Sequence, residues 1–247
     1  MQKKLITIII GSIILLSGFA SAQKPNAREI MDRVDMVING PKDQKLIMEL
    51  KLIDKNGDER VREIVMYQKG SNKRLSKFLS PADQKGIGFL SLPGGKMYLY
   101  LPAFQKIRRI AGHIKNNRFA GTDMTYEDME AINYNEKWLP ELNGEDEEHY
   151  ILQLKPKENV STAYKSMKIW VLKDKFFPTR IEYYNKTGKL IKILTREEIE
   201  KVDGYWVARK STMENLKSGH KTLIILKQVK FDSGLSDDIF TKRYLRR

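Results

Sequence analysis

Three carboxylates stand close together in one stretch of the chain, where acid–base chemistry is conceivable. Asp123, Glu127 and Asp128 fall within six residues, and paired carboxylates can transfer protons to and from a substrate. Such clusters more often cap a helix and pair with nearby bases. Four basic residues lie nearby in the sequence, at positions 108, 109, 115 and 118. We therefore predict no catalytic residue and no enzymatic activity, with a hydrolase that uses residues 123–128 as an alternative.

Residues that bind metals are sparse. The chain has no cysteine, and its three histidines do not stand at metal-ligand spacing; they are His113, His149 and His220. Residues 54–58 (DKNGD) look like the start of a calcium loop, but its positions 6 and 12 hold Glu59 and Val65 instead of Gly and Glu. This segment predicts a hairpin turn. We predict neither a metal nor a cofactor.

The elements that position these residues are mostly strands. Residues 25–39 predict a helix, because Ile30, Val34 and Val37 recur at helical spacing before Gly40. Residues 121–132 predict a second helical segment, with Thr125 as its N-cap. About eleven strands are predicted, at residues 45–53, 61–67, 73–79, 88–92, 96–101, 150–154, 167–172, 179–184, 189–196, 205–213 and 222–231. With no parallel βαβ rhythm, this pattern predicts a mainly β protein with one antiparallel, strongly curved sheet.

The strand at residues 96–101 is apolar or amphipathic on both faces. Met97, Leu99 and Leu101 alternate with Tyr98 and Tyr100, and successive strand residues point to opposite faces. A single-layer sheet needs only one apolar face. The pattern therefore indicates either cover on both sides or a cavity on one side.

The first residues predict export. Lys3 and Lys4 precede an apolar run at residues 5–16, and Ala20-Ser21-Ala22 gives the small-x-small pattern of a signal peptidase site. The apolar run is shorter than the ~20 residues of a membrane-spanning helix, so an uncleaved anchor is the alternative. We predict a signal peptide at residues 1–22 and a single domain at 23–247. Without cysteine the protein cannot be lipidated at its N-terminus, and we expect it to be soluble in the periplasm.

The chain is strongly basic. It has 45 Lys+Arg and 31 Asp+Glu, a net charge of +14, and cleavage after residue 22 would remove two lysines and leave +12. Export makes nucleic acid an unlikely partner for this charge, so we predict no nucleic-acid binding. The remaining candidates are an anionic membrane surface (lipid head groups or lipopolysaccharide) and an acidic partner protein, and the alternative is that the charge only keeps the protein soluble.

Several blocks of sequence, in order, resemble one family. The blocks are residues 74–83 (RLSKFLSPAD), 85–90 (KGIGFL), 97–103 (MYLYLPA), 106–110 (KIRRI), 119–129 (FAGTDMTYEDM), 169–170 (IW), 177–181 (FPTRI) and 204–206 (GYW). Together they are similar to the outer-membrane lipoprotein-sorting proteins, in an uncharacterised, LolA-like periplasmic branch. The resemblance covers essentially the whole chain after residue 22.

This resemblance implies a half-open antiparallel β-barrel with a helical lid, whose apolar concave face takes up acyl chains. Together with the double-sided strand, it predicts a lipid cavity lined by Leu50, Leu52, Phe89, Leu92, Met97, Leu99 and Leu101. The lid residues would be Thr122, Asp123, Tyr126, Asp128 and Met129. Which face of the strand at residues 97–101 lines the cavity stays open.

The functional hypothesis is a periplasmic carrier that moves lipid or lipoprotein acyl chains towards the outer membrane. The resemblance also implies work beside an RND-type inner-membrane exporter. The alternative is a non-enzymatic accessory or interaction subunit of a periplasmic transport complex. Lipid bound after native purification would distinguish the first from the second.

Overall fold

A computed structural model describes residues 24–131 and 133–247. The predicted signal peptide lies outside these residues. The strands are β1 Asp43–Ile53, β2 Glu59–Lys69, β3 Lys73–Ser80, β4 Gly88–Leu92, β5 Lys96–Leu101, β6 Lys106–Ile110, β7 Trp138–Glu145, β8 His149–Pro156, β9 Tyr164–Leu172, β10 Pro178–Asn185, β11 Leu190–Val202, β12 Tyr205–Asn215 and β13 His220–Phe231. The α-helices are α1 Ala27–Ile38, α2 Tyr134–Lys137 and α3 Lys242–Arg246, and three short 3-10 turns complete the elements.

All thirteen strands of the described residues form one antiparallel sheet. Its order is β6-β5-β4-β3-β2-β1-β13-β12-β11-β10-β9-β8-β7, so two meanders are joined side by side where β1 pairs with β13. The edge strands β6 and β7 do not pair with each other, and the sheet is therefore not closed. The predicted fold class, a half-open antiparallel barrel, is confirmed.

The two strands beyond the predicted eleven are the edge strands. β6 (KIRRI) has three basic residues out of five, and β7 (WLPELNGE) contains a proline and a glycine. Charged residues and proline are tolerated at a sheet edge, where they also discourage pairing with other chains. Such strands lack the apolar alternation on which strand prediction depends.

Helix α1 covers the inner face of the second meander. Asn26 caps it, and Glu29 completes a capping box. Ile30, Met31 and Val34 are fully buried against β7–β12, in one cluster with Leu152, Ile169 and Ile181, among others. The predicted first helix is confirmed, and this half of the inner face is filled.

The segment at residues 114–129 covers the inner face of the first meander, at the place predicted for the lid, but it is not a helix. Its backbone folds back as a hairpin: Phe119 N–H donates to Met124 O at 2.8 Å, and Glu127 N–H donates to Lys115 O at 3.0 Å. These N–H groups are therefore unavailable for helical i→i−4 bonds. Ala120 has φ of 46° and the next residue, Gly121, has φ of 79°, both left-handed.

The cap predicted at Thr125 does form within this segment. Thr125 N–H donates to Asp128 Oδ2 at 2.7 Å, and Asp128 N–H donates to Thr125 Oγ1 at 3.2 Å. Only one turn follows, closed by the Met129 N–H bond to Thr125 O at 3.1 Å. The lid is thus an irregular turn segment, called here the cover segment.

The C-terminal residues cover the outer face of β3–β5. Phe240 and Leu245 are buried there against Leu75, Leu90 and Tyr100. Strand β5 therefore has cover on both sides: Met97 and Leu99 face the inner cluster, and Tyr98 and Tyr100 face the C-terminal residues. Of the two explanations for the double-sided pattern, the structure shows cover on both sides.

Within residues 24–131 and 133–247, none of the helices combines the length and apolar character that crossing a bilayer requires.

Candidate binding cavity

A cavity of about 300 Å³ lies on the inner face between the two covered halves. Its floor is the middle of the sheet, where cross-strand pairs place side chains of β1, β2 and β13 next to each other. Met48 pairs with Leu226 on one side and Ile64 on the other, and Leu50 pairs with Ile224. The end of α1 and the cover segment partly cover it, and it stays open to solvent on one side. Its apolar wall consists of Leu46, Met48, Leu50, Ile64, Met66, Met124, Met129, Leu194, Val207, Met213, Ile224 and Leu226.

Arg74 of β3 lines one end of this cavity. Its guanidinium donates to Gln68 Oε1 from Nε at 3.0 Å and from the second nitrogen at 2.6 Å. It also donates to the carbonyls of Met129 and Glu130, at 3.3 and 3.0 Å. Arg74 thus connects β2 to the end of the cover segment. Burial lowers the pKa of Arg74 to about 10, so it stays charged at neutral pH.

Arg196 of β11 enters the cavity from the opposite wall. One of its terminal nitrogens donates to Pro178 O at 3.0 Å. Tyr134, also on the wall, lies next to it: burial raises the pKa of the Tyr134 hydroxyl, while the charge of Arg196 acts in the opposite direction. This end of the cavity is therefore polar and cationic.

Asp128 also reaches the cavity wall, but its carboxylate is fully engaged. It accepts hydrogen bonds from Thr125 and from Tyr164 Oη, the latter at 2.8 Å, and it pairs with Lys192. The Lys192 ammonium lies 5.0 Å from the ring centroids of both Tyr164 and Tyr183. Burial raises the pKa of Tyr164 well above its usual value. This buried pair fixes the cover segment to β9 and β11 rather than offering a free proton acceptor.

Asp123 anchors the other end of the cover segment. Its side chain is fully buried and accepts from Thr222 Oγ1 at 2.8 Å and from Arg118 at 2.9 Å. His220 Nδ1 also contacts it, and Asp123 N–H donates to Thr222 Oγ1 at 2.9 Å. Glu127, the third candidate carboxylate, accepts from Ala163 N–H at 3.0 Å. All three carboxylates that could have done acid–base work are therefore bound by the protein's own donors.

Six of the seven predicted cavity residues, all except Leu92, fall into three groups. Leu50 lies on the cavity wall. Leu52, Phe89, Met97 and Leu99 lie in the closed cluster beneath the cover segment. Leu101 is half-buried at the end of β5, off the wall.

Leu92 needs a correction, because it packs with the outer-face cluster. Leu92 stands two positions after Leu90 on the same strand, so both side chains point to the same face of the sheet, and Phe89 points to the opposite face. Among the predicted lid residues, Asp128 and Met129 line the cavity. Tyr126 stacks on Phe89 with ring centroids 6.1 Å apart, and Thr122 donates to Phe119 O at 2.7 Å.

Sequence reasoning missed most of the wall. Met213, Ile224 and Leu226 come from strands far along the chain, and the two arginines come from opposite walls. A usable signal existed in β13: residues 222, 224 and 226 occupy every second position and therefore share one face of the sheet. What the sequence did not reveal is that β13 lies beside β1.

Among the described residues, no group of three or more His, Cys, Asp or Glu side chains is arranged to hold a metal ion.

An open antiparallel half-barrel with a covered inner face and an apolar cavity on that face is characteristic of the LolA-like fold. A LolA superfamily protein from Nitrosomonas europaea shares this fold: it is 22% identical, with a TM-score of 0.76 over 89% of this chain and 99% of that one. A comparison with curated protein sequences found no match.

Two other solved structures are also similar. A DUF1329 family protein from Desulfovibrio piger is 28% identical, with a TM-score of 0.84 over 89% of this chain and 97% of that one. A domain from Vibrio parahaemolyticus, named for outer-membrane lipoprotein sorting, is 27% identical, with a TM-score of 0.76 over 90% of this chain and all of that one. The chain belongs to a family described as uncharacterized protein, whose sequence model matches residues 70–247. The LolA-like resemblance predicted from the sequence is confirmed.

Proposed function

We propose that this protein is a carrier that holds an acyl chain of a lipid or lipoprotein in the inner-face cavity and moves it towards the outer membrane. The observation that carries the proposal is the apolar wall between the two meanders. Carrying requires no catalytic group, and the three candidate carboxylates are already bound by the protein's own donors.

The size and chemistry of the cavity support this ligand class. A volume of about 300 Å³ is at the lower end of the range for small-molecule sites, which suits one acyl chain rather than several. Each buried CH₂ contributes about 0.8 kcal/mol, so a chain of ten carbons could gain on the order of 8 kcal/mol before the costs of binding. Five methionines in the wall, at positions 48, 66, 124, 129 and 213, can adapt their shape to a flexible chain.

Titration with a fluorescent fatty acid tests the proposal. We expect saturable binding of one probe per protein, and displacement by unlabelled fatty acid. Absence of saturable binding, together with a stable protein partner recovered from native extracts, would contradict the carrier and favour an accessory subunit.

The location of the protein in the cell and its transporter partner belong to the same proposal. The signal-peptide pattern of residues 1–22 and the likeness to a domain named for outer-membrane lipoprotein sorting support a periplasmic location. An RND-type inner-membrane transporter as partner is supported by the resemblance alone.

A carrier also has to contact membranes, and one outer groove is suited to anionic lipid. The groove, of about 690 Å³, is bordered by Tyr98, Ile107, Arg109, Lys242, Arg243 and Arg246. Its four cations are exposed, and Lys242 lies 4.3 Å from the ring centroid of Tyr98. In the described part of the chain none of the four forms an ion pair.

We expect binding to phosphatidylglycerol vesicles to weaken as salt rises, because exposed charges are screened over about 8 Å at physiological ionic strength. Reversing Arg243 and Arg246 to Glu should reduce binding at low salt at least tenfold, as measured by vesicle co-sedimentation. The matched control reverses Lys165 and Lys217, which are also exposed but lie away from the groove. Equal losses in the two variants, or equal binding to neutral vesicles, would leave the basic surface with no specific role.

A further inference from the structure

The cavity has a cationic end as well as an apolar wall. Arg74 and Arg196 come from strands separated by four others in the sheet order, yet both line the same space. They are close enough that the charge of Arg196 acts on Arg74, and Tyr134 lies close to both. Both arginines are half-buried, and two like charges held close together away from bulk water repel each other unless something compensates them.

No carboxylate of the described residues compensates them by an ion pair. Asp128 shares the cavity, but its charge is matched by Lys192. Glu130 acts on Arg74 only at longer range and is itself paired with Lys137, away from the cavity. Asp35 acts on Tyr134 from behind and accepts from the Tyr134 and Asn135 N–H groups, without an ion pair to either arginine. Among the described residues, neither Arg74 nor Arg196 therefore has a carboxylate partner of its own.

The two arginines differ in the donors they have left. Arg74 already donates four hydrogen bonds, two to Gln68 Oε1 and one each to the carbonyls of Met129 and Glu130. Arg196 donates to Pro178 O, interacts with the Tyr134 hydroxyl and lies 5.8 Å from the Phe177 ring centroid. Because a guanidinium has five N–H groups, it keeps donors for a ligand. Arg196 can therefore form a paired, bidentate contact with a carboxylate or phosphate, while Arg74 supplies charge from the opposite wall.

We propose that the cavity takes an anionic amphiphile, with its carboxylate or phosphate group on Arg196 and its acyl chain along the apolar wall. This inference rests on the proposed carrier function and specifies the ligand. The chain would run past Ile224 and Leu226, while Arg74 and Tyr134 border the head group. A neutral lipid of the same length would leave the two charges uncompensated.

The test compares three twelve-carbon probes on the full-length mature protein by calorimetry: dodecanoate, dodecyl phosphate and dodecanol. We expect at least one of the two anions to bind at least tenfold more tightly than the alcohol. Which of them binds more tightly distinguishes a fatty acid from a phospholipid-type head group. Inorganic phosphate alone should not compete at millimolar concentration, and if it does, the site is for a free anion and the proposal is wrong.

Arg196→Gln should weaken binding of the preferred anion at least tenfold and binding of dodecanol much less, so that the preference for anions is lost, while Arg196→Lys should retain part of the preference. Arg209→Gln is the matched control, because it removes the same charge from a side chain paired with Glu200 outside the cavity. Thermal melting confirms folding of each variant. Equal affinities for all three probes would overturn the head-group site and leave the carrier intact, whereas no binding of any probe would overturn both.

Discussion

Ile224→Trp is expected to abolish acyl-chain binding while the protein stays folded. Ile224 lies on the cavity floor, opposite Leu50 on β1 and Ser211 on β12. An indole at this position would extend into the space of about 300 Å³ that the chain would occupy. Because it enters an existing void, it should avoid much of the 1–3 kcal/mol that overpacking of a closed core typically costs. Binding of the fluorescent fatty acid should fall at least tenfold.

The neighbouring residue gives a matched control. Ile225 is the same residue type one position along β13, and it therefore points to the opposite face of the sheet. Ile225→Trp should leave uptake within twofold of the wild type. If both variants bind the probe normally, the acyl chain does not occupy this cavity.

Phe119→Ala should lower the free energy of unfolding by about 3–5 kcal/mol, the usual cost of emptying a phenylalanine site in a closed core. Phe119 is fully buried in the cover segment. Its ring lies 5.4 Å from Phe78, 5.8 Å from Phe89 and 6.0 Å from Tyr126, centroid to centroid. These contacts hold the cover segment on the first meander. Urea denaturation measures the change.

Phe104→Ala is the control for this substitution. Phe104 is 62% exposed, so its removal should change stability by no more than about 0.5 kcal/mol. A loss of less than about 1 kcal/mol for Phe119→Ala would mean that the cover segment is held mainly by its polar anchors, Asp123 and Asp128.

Local patterns predicted the elements well where one face is clearly apolar. Helix α1, with its stop signal at Gly40, lies almost where predicted. The β1–β2 hairpin does so too: Asp54 Oδ1 accepts from Asn56 N–H at 2.8 Å, and Gly57 has φ of 92° in the turn. Each depends on residues close in sequence, which is the information a single sequence contains.

The predictions that were wrong or incomplete depended on pairing between strands distant in sequence, or on local hydrogen bonds that compete with a helix. The cover segment has the cap of a helix, yet the bonds across its own hairpin remove the donors that a helix needs. Most of the cavity wall was missed because only the pairing of β1 with β13 brings the two meanders together. That same pairing makes Leu50 part of the wall, while Leu99 faces a filled cluster. Replacing Leu99 would therefore test packing rather than ligand contact.

Mass spectrometry of lipid extracted from the natively purified protein tests the carrier most directly. The protein should be isolated without detergent and its organic extract compared with that of Ile224→Trp prepared in parallel. We predict about one acyl-chain lipid per wild-type molecule, with an anionic head group, and little or none from the variant. An extract without acyl lipid, from wild-type protein that also fails to take up added fatty acid, would contradict the account.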